Sequence, residues 1–246
     1  MQWFTERPGK SGSLKYFLNN TYRLESYLDF NTILTACAPS VCFVVFNSES
    51  THHFVQNEEY RNFANECCGY FLDGSALQLV MNCKDASNKV KRYHGPDFLL
   101  DLIKKPPTGC DLVLVGGQEL TVSQLDQLGF QRQINLPMHH SLDYLVEYFK
   151  NSVKHKSVEI ERKQIYLVSL GLPKQELFIS RLIAEKFPGV FIPIGAAVDF
   201  VTRHKKRSSV FWRRLGLEFL PRLIREPRML KRNFRSFRGV VKYLFS

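Results

Sequence analysis

One aspartate in the sequence stands where general acid–base chemistry could be carried out. Asp73 follows the short apolar run Tyr70–Leu72 and precedes Gly74. A carboxylate at the end of a strand in a parallel sheet is well placed to act as a general base. The alternative is a turn aspartate that caps the helix expected from Ala76, and residue propensities alone favour this second interpretation.

Glycines follow three other apolar runs, at Gly116 and Gly117, at Gly171 and at Gly195. Glycine at a strand end lets a ligand phosphate approach backbone amides and the positive end of the next helix. Tight turns in any α/β protein also require small residues, and for each glycine taken singly this structural explanation is favoured. None of them forms GxGxxG or GxxxxGK[ST], so a dinucleotide-dependent dehydrogenase or a Walker-type ATPase has no support.

The sequence predicts neither a metal site nor a cofactor. The six cysteines form no CxxC pair and lie mostly in apolar segments, which indicates buried, reduced thiols. The adjacent histidines His52–His53 and His139–His140 point in different directions and lack an acidic partner at ligand spacing. No DxD occurs in the chain, so arginines and backbone amides are expected to neutralise any diphosphate.

The elements that must position these residues alternate between short apolar runs and helical patterns. Thr121 with Gln124 three residues later is a capping-box signature that predicts a helix start. This alternation predicts an α/β fold, a Rossmann-like, largely parallel sheet with helices on both faces. For the first 40 residues the sequence predicts only that a helical segment or a hairpin precedes the sheet. The main predicted strands are Val41–Phe46, Asp111–Val115, Ile165–Leu170 and Phe191–Ile194, and the main predicted helices are Glu58–Cys68, Ala76–Asn82 and Ser141–Lys150.

The 246 residues, 44% of them hydrophobic, suffice for one α/β domain and an appendage. No apolar run approaches the roughly 20 residues that span a bilayer, and the first ten residues do not resemble a secretory signal, so a cytoplasmic protein is expected. Residues 203–246 hold 14 lysines and arginines against two glutamates, whereas the rest of the chain is close to neutral. We therefore predict an α/β domain over 1–202 and a basic appendage of short amphipathic helices over 203–246.

A neutral body with a basic tail predicts an acidic partner, which is either an anionic membrane or nucleic acid. Aromatic residues interleaved with the arginines could anchor in a lipid interface or stack on bases. No recognised nucleic-acid module accompanies the tail, so no nucleic-acid partner is expected. A helical subdomain packed on the sheet, with its arginines solvated, is the structural alternative.

Several segments in a fixed order resemble the WecG/TagA/CpsF glycosyltransferases, family 26 of the sequence-based classification. The most specific are GLPKQE from Gly171, IPIGAAVDF ending at Phe200, and LGLEFLPRLIREPRML from Leu215; FNSEST, FLDGSAL, RYHGPD and VLVGG agree with them earlier in the chain. The resemblance covers roughly residues 40 to 235. It implies an inverting, metal-independent transferase that moves an N-acetylmannosamine-type sugar from a UDP donor to an undecaprenyl-diphosphate-linked sugar. The product belongs to bacterial surface polysaccharide, teichoic acid or capsule, and the enzyme is peripheral on the inner face of the plasma membrane, with a homo-oligomer possible.

The resemblance also assigns roles to particular residues. It makes Asp73 the catalytic base, which reverses the preference from propensity. It implies that the tail arginines engage the diphosphate of the acceptor or donor, and that the remaining residues bind the donor. The resemblance places the donor-binding roles on Asn47, Arg92, Gln175 and Asp199, and the diphosphate contact on Arg222 and Arg232. Beside them we predict that the strand-end glycines and the neighbouring glutamate bind the donor, namely Gly116, Gly117, Gly171, Gly195 and Glu176, and that Arg228 joins the tail arginines.

Two positions depart from the family pattern. Val45 stands where many members have a threonine two residues before the asparagine, so that hydroxyl is absent or is supplied by Ser48 or Ser50. Met229 occupies a commonly basic position, with Arg228 beside it as a stand-in. The first departure leaves open a catalytically lapsed member that only binds lipid-linked intermediates.

Overall fold

The computed structural model describes residues 13–36, 40–84, 89–154 and 162–202. The strands are β1 (Arg23–Leu24), β2 (Ser40–Phe46), β3 (Gly69–Leu72), β4 (Cys110–Gly116), β5 (Phe130–Ile134), β6 (Lys163–Ser169) and β7 (Gly189–Pro193). The helices are α1 (Leu14–Asn20), α2 (Tyr27–Ala36), α3 (Ser48–Gln56), α4 (Glu58–Glu66), α5 (Ser75–Lys84), α6 (Gly95–Lys104), α7 (Val122–Gln127), α8 (Leu142–Lys154), α9 (Lys174–Ala184) and α10 (Ala197–Val201).

The seven strands form one sheet in the order β1-β3-β2-β7-β6-β4-β5, and every neighbouring pair is parallel. This confirms the predicted Rossmann-like α/β fold. Because all strands run the same way, the segments that follow them emerge at one edge of the sheet. Ligands of open parallel sheets bind outside that carboxyl edge.

Two apolar layers cover the sheet, one on each face. In β2, Cys42, Val44 and Phe46 enter one layer, whereas Val41 and Phe43 enter the other. Successive side chains of a strand point to opposite faces, and a strand buried on both faces is therefore apolar throughout. Helices α3, α4, α5, α8 and α9 pack on the first face, and α2, α6 and α10 pack on the second.

Neighbouring strands β2 and β7 continue to opposite faces of the sheet. The chain leaves β2 into α3 on the first face and leaves β7 into α10 on the second. A crevice forms where adjacent strands diverge in this way, and such switch points are the usual binding place in doubly wound sheets.

Most predicted elements are present within a few residues of their predicted bounds, and the capping box is confirmed. Thr121 Oγ1 accepts from the Gln124 amide at 3.3 Å, and Gln124 Oε1 accepts from the Thr121 amide at 2.9 Å. The hairpin alternative for the lead-in is wrong, because Arg23 pairs in parallel with Tyr70 and two helices flank β1.

The cysteines of the described residues are all free thiols. Cys42, Cys67 and Cys110 are buried as predicted, whereas Cys68 is half-buried and Cys83 is exposed at the end of α5. The expectation of buried thiols is therefore wrong for Cys83. Cys37 lies outside the described residues.

No helix in the described part of the chain is both long enough and apolar enough to cross a bilayer. The basic appendage predicted over 203–246 lies outside the described residues, so the boundary after residue 202 stays a prediction.

Candidate active site

The carboxyl edge of the sheet brings together the predicted residues of the α/β domain. Asn47 follows β2, Asp73 follows β3, and Gly195 follows β7. The ends of β4 and β6 add Gly116, Gly117 and Gly171 to the same edge. Residues from five segments of the sequence therefore lie at the same edge of the sheet.

Asp73 makes its side-chain contact with a histidine that sequence reasoning did not select. His94 Nδ1 lies 2.8 Å from Asp73 Oδ1, and the two side chains are 19% and 28% exposed respectively. Because a carboxylate can only accept, Nδ1 carries the hydrogen and donates it. The pair is partly shielded from water yet reachable from the crevice.

The capping interpretation of Asp73 is not what the structure shows. The Asp73 amide donates to the Phe46 carbonyl at 2.8 Å, which fixes the residue against the end of β2. No amide of α5 reaches the Asp73 carboxylate in the described residues, and the Gln78 amide bonds the Gly74 carbonyl at 3.0 Å. The Asp73 carboxylate is thus hydrogen-bonded to His94 and does not cap α5.

Asn47 is the N-cap of α3. Its Oδ1 accepts from the Glu49 amide at 2.9 Å and the Ser50 amide at 3.0 Å, while the Asn47 amide donates to Ser50 Oγ at 2.6 Å. Its side-chain NH₂ group makes no hydrogen bond to the described residues, so it is the part of Asn47 available to a ligand. Ser50 is fully buried in this capping box, which removes its hydroxyl as a substitute for the one missing at Val45.

Gly74 explains how Asp73 comes so close to Asn47. A Cβ on Gly74 would lie 3.0 Å from Asn47 Cα, so the ends of β2 and β3 approach each other where residue 74 has no side chain. The approach places the predicted base and the predicted asparagine on neighbouring strand ends.

Arg92 lies in the extended segment before α6, beside the end of β3. The neighbouring Tyr93 amide donates to the Leu72 carbonyl at 2.9 Å, which ties this segment to the strand. The Arg92 side chain is half-buried and forms no ion pair within the described residues. A guanidinium in that setting can pair with an anionic group of a ligand.

The ends of the strands that are followed by glycine form a rim at the carboxyl edge of the sheet. Gly116, Gly117, Gly171 and Gly195 all have positive φ, between 50° and 79°. At Gly116 space is also lacking, because a Cβ would lie 2.5 Å from Leu170 Cδ2. Ser169 Oγ donates to the Gly195 carbonyl at 2.7 Å and so joins the ends of β6 and β7.

Gln175 and Glu176, predicted to bind the donor, lie in the interior behind this rim at 4% and 0% exposure. Gln175 Oε1 accepts from the Gly195 amide at 3.1 Å, and its Nε2 donates to Glu176 Oε1 at 2.8 Å. The side-chain amide of Gln175 thus stabilises the turn after β7. Glu176 Oε2 is buried with no hydrogen-bond partner among the described residues.

Burial raises the pKa of Glu176 to about 8, and the nearby Glu49 carboxylate adds to the rise. The hydrogen bond from Gln175 lowers the pKa and so opposes part of this effect. The side chain is therefore mainly protonated at neutral pH. A neutral carboxyl group avoids the high cost of an unpaired buried charge.

The raised pKa of Glu176 predicts a pH dependence of stability. Its contribution is fully present below the ordinary pKa of 4.5 and is lost as pH rises through about 8. The free energy of unfolding should fall over that window by up to about 1.4 kcal/mol per pH unit. Glu176→Gln should remove most of this slope in urea denaturation series at several pH values.

The matched control is Glu119→Gln, which removes one carboxylate from an exposed loop position. It should leave the slope as in the wild type. Equal slopes in the wild type and in Glu176→Gln would show that Glu176 does not titrate in this range.

Asp199 lies in the first turn of α10 and is half-buried. The same helix brings Ala197 next to the start of α6, since a Cβ on Gly95 would lie 3.8 Å from Ala197 Cβ. A Cβ on Gly117 would lie 3.7 Å from Val198 Cγ1. Helix α10 therefore lies beside both the start of α6 and the turn after β4.

Arg222, Arg228 and Arg232 lie outside the described residues, so their predicted contact with a diphosphate stays a prediction. In the described part of the chain, no three histidine, cysteine, aspartate or glutamate side chains are grouped as metal ligands would be.

His94 is the site residue that sequence reasoning missed. It stands 21 residues after Asp73 and belongs to neither a periodic pattern nor a ligand spacing. The available signal was Pro96 in the segment RYHGPD, because proline is common in the first turn of a helix. It places residue 94 at a helix N-terminus, and helices that follow parallel strands begin at the carboxyl edge of the sheet.

One family model matches the chain from residue 21 to residue 245, nearly its whole length, and its description is "Glycosyl transferase WecG/TagA/CpsF family".

Proposed function

The chain belongs to the WecG/TagA/CpsF family and is therefore a glycosyltransferase of cell-surface polysaccharide synthesis, and from that premise we propose its reaction. The enzyme transfers an N-acetylmannosamine-type sugar from a UDP donor to a sugar carried on undecaprenyl diphosphate. The transfer inverts the anomeric centre and requires no metal. Bacterial surface polysaccharide, teichoic acid or capsule is the product class.

The observation that carries this proposal is the position of Asp73. Its carboxylate stands at the carboxyl edge of a parallel sheet, does not cap α5, and has one oxygen hydrogen-bonded to His94. The other oxygen, Oδ2, is not engaged by the described residues. An accessible carboxylate with one uncommitted oxygen is suited to accept a proton.

In the proposed step, Asp73 takes the proton of the acceptor hydroxyl. The hydroxyl oxygen attacks the anomeric carbon from the face opposite the leaving group. The bond between that carbon and the phosphate oxygen breaks, and its electron pair leaves with UDP. Holding the hydroxyl, the base and the donor in line supplies much of the rate acceleration.

The departing UDP accumulates negative charge that the protein must stabilise. Arg92 and the backbone amides around Gly117 and Gly171 are the candidate donors at the crevice. Helix α9 begins just after Gly171, so the positive end of its dipole adds to them. We assign to these groups the part that a divalent cation plays in DxD transferases, with Arg222 and Arg232 as additional donors from the tail.

The basic tail supports a position at the membrane surface. Its 14 lysines and arginines are complementary in charge to a lipid-linked, anionic acceptor, and each basic residue near an anionic leaflet contributes about 1 kcal/mol. We therefore place the enzyme on the inner face of the plasma membrane, where UDP-sugars and undecaprenyl-linked acceptors meet.

The anomeric configuration of the product tests the proposed chemistry. NMR of the glycolipid formed from an α-linked UDP-sugar should show a β-linked residue, because a single displacement inverts the centre. An α-linked product would contradict a mechanism with Asp73 as base. The matched control is the unreacted donor incubated with the enzyme, which should keep its α configuration.

A further inference from the structure

We propose that His94 is a positioning residue for the reaction, which holds the Asp73 carboxylate so that Oδ2 faces the acceptor hydroxyl. The inference rests on the proposed function, since it assigns how the base of that reaction is oriented. It starts from the 2.8 Å contact between His94 Nδ1 and Asp73 Oδ1.

The backbone around His94 is held from both sides. Before it, the Tyr93 amide bonds the Leu72 carbonyl at 2.9 Å, and the Tyr93 hydroxyl donates to Asp101 Oδ2 at 2.6 Å. After it, the Phe98 amide donates to the His94 carbonyl at 2.9 Å in the first turn of α6. These hydrogen bonds therefore fix the backbone position from which the imidazole contacts Asp73.

The His94 side chain does not serve the helix that it precedes. His94 occupies the N-cap position of α6, yet it makes no side-chain capping hydrogen bond. Helix N-caps normally accept bonds from the first free amides. The imidazole instead gives its Nδ1 hydrogen to Asp73, which indicates a role in the site rather than in the stability of α6.

The contact distinguishes the two oxygens of the carboxylate. Oδ1 is occupied by His94, whereas Oδ2 faces the space beside Gly95, where a Cβ would lie 3.9 Å away. The same Cβ would lie 3.8 Å from Ala197 Cβ on α10. The absence of a side chain at residue 95 thus keeps room next to Oδ2 on the side that faces α10.

A fixed carboxylate rotamer matters because proton transfer requires hydrogen-bond distance in the transition state. A displacement of about 1 Å in a catalytic group costs about 100-fold in rate. Loss of His94 should therefore act on kcat, whereas donor binding, which uses other groups of the crevice, should be little changed.

The experiment compares His94→Phe with His94→Asn in the full-length chain. Phenylalanine keeps a ring but has no donor, and asparagine presents an amide NH₂ close to the position of Nδ1. We expect His94→Phe to lower kcat by about 10- to 100-fold with the KM for the donor within about twofold. His94→Asn should recover kcat to within about fivefold of the wild type.

His140→Phe is the matched control. His140 is exposed, and its ring stacks on Tyr144 with centroids 4.3 Å apart, a contact that phenylalanine can keep. It lies beyond β5, at the far end of the sheet from β3. This variant should keep wild-type kcat.

A second readout does not depend on activity. Nitrogen NMR of the histidine side chains should show hydrogen on His94 Nδ1 in the wild type. An unprotonated Nδ1, wild-type kcat in His94→Phe, or a His94→Asn variant no better than His94→Phe would each overturn the inference. Absence of sugar transfer by the wild type itself would instead refute the proposed function, and the inference with it.

Discussion

Asp73→Asn is expected to lower kcat for sugar transfer by about 1,000-fold, within the range that general-base catalysis contributes. Asparagine has nearly the same shape, and its carbonyl oxygen can still accept the hydrogen bond from His94 Nδ1. The amide cannot take a proton from the acceptor hydroxyl. The KM for the UDP donor should therefore change little, and the melting temperature should stay within about 2 °C, since Asp73 contributes no capping bond to α5. Steady-state kinetics and thermal denaturation measure the two effects separately.

Asp111→Asn provides the matched control for this substitution. The Asp111 carboxylate also accepts side-chain hydrogen bonds, from Arg162 Nε at 2.7 Å on Oδ1 and from Gln164 Nε2 at 3.1 Å on Oδ2. It lies near the start of β4, at the opposite edge of the sheet from the crevice. Its substitution should leave kcat unchanged. Near-normal turnover by Asp73→Asn would show that Asp73 is not the catalytic base.

Truncation after residue 205 is expected to abolish binding to anionic liposomes and sugar transfer together. The truncation removes 12 of the 14 basic residues of the tail along with its aromatic residues. At about 1 kcal/mol for each basic residue near the surface, loss of even half of them would reduce partitioning by more than 1,000-fold. Co-sedimentation with phosphatidylglycerol-containing vesicles at low and high salt measures this loss.

The α/β domain should remain folded after truncation. Among the described residues, the buried members of both apolar layers lie between Leu14 and Val198, all within the part of the chain that the truncation keeps. A full-length variant with Lys104, Lys105 and Lys186 changed to glutamine controls for the general loss of charge, because all three are exposed on the body. It should still bind vesicles. A truncated protein that sediments with anionic vesicles would contradict the role of the tail.

The sequence predicted the central strands because burial on both faces makes them apolar throughout. Strand β5 was not predicted, since its core residues Phe130 and Ile134 enclose Gln131, Arg132 and Gln133. It is one of the two edge strands of the sheet, and side chains there can reach solvent. Strand β1 has only two residues, which is too short for any alternation to be recognised.

The site was predicted only in part, for a related reason. A strand end followed by Asp73 and Gly74 is a local pattern, but the partner of the carboxylate comes from a distant segment. The segment containing His94 reaches β3 through a backbone hydrogen bond from Tyr93, which leaves no mark on residue spacing.

Glu176, in the PKQE motif, was predicted to bind the donor, whereas its side chain is buried behind the rim. The helical register contained the correct signal, because Ile179 lies three residues later on the same apolar face of α9.

The most direct test of the central claim is UDP release by the full-length protein. The assay would combine an undecaprenyl- or short polyprenyl-diphosphate-linked N-acetylglucosamine acceptor with a panel of UDP-sugars, with and without EDTA. We predict acceptor-dependent UDP release from UDP-N-acetylmannosamine that is unchanged by EDTA and lost in Asp73→Asn. No release from any donor in the panel, with binding to liposomes intact, would contradict the proposed reaction.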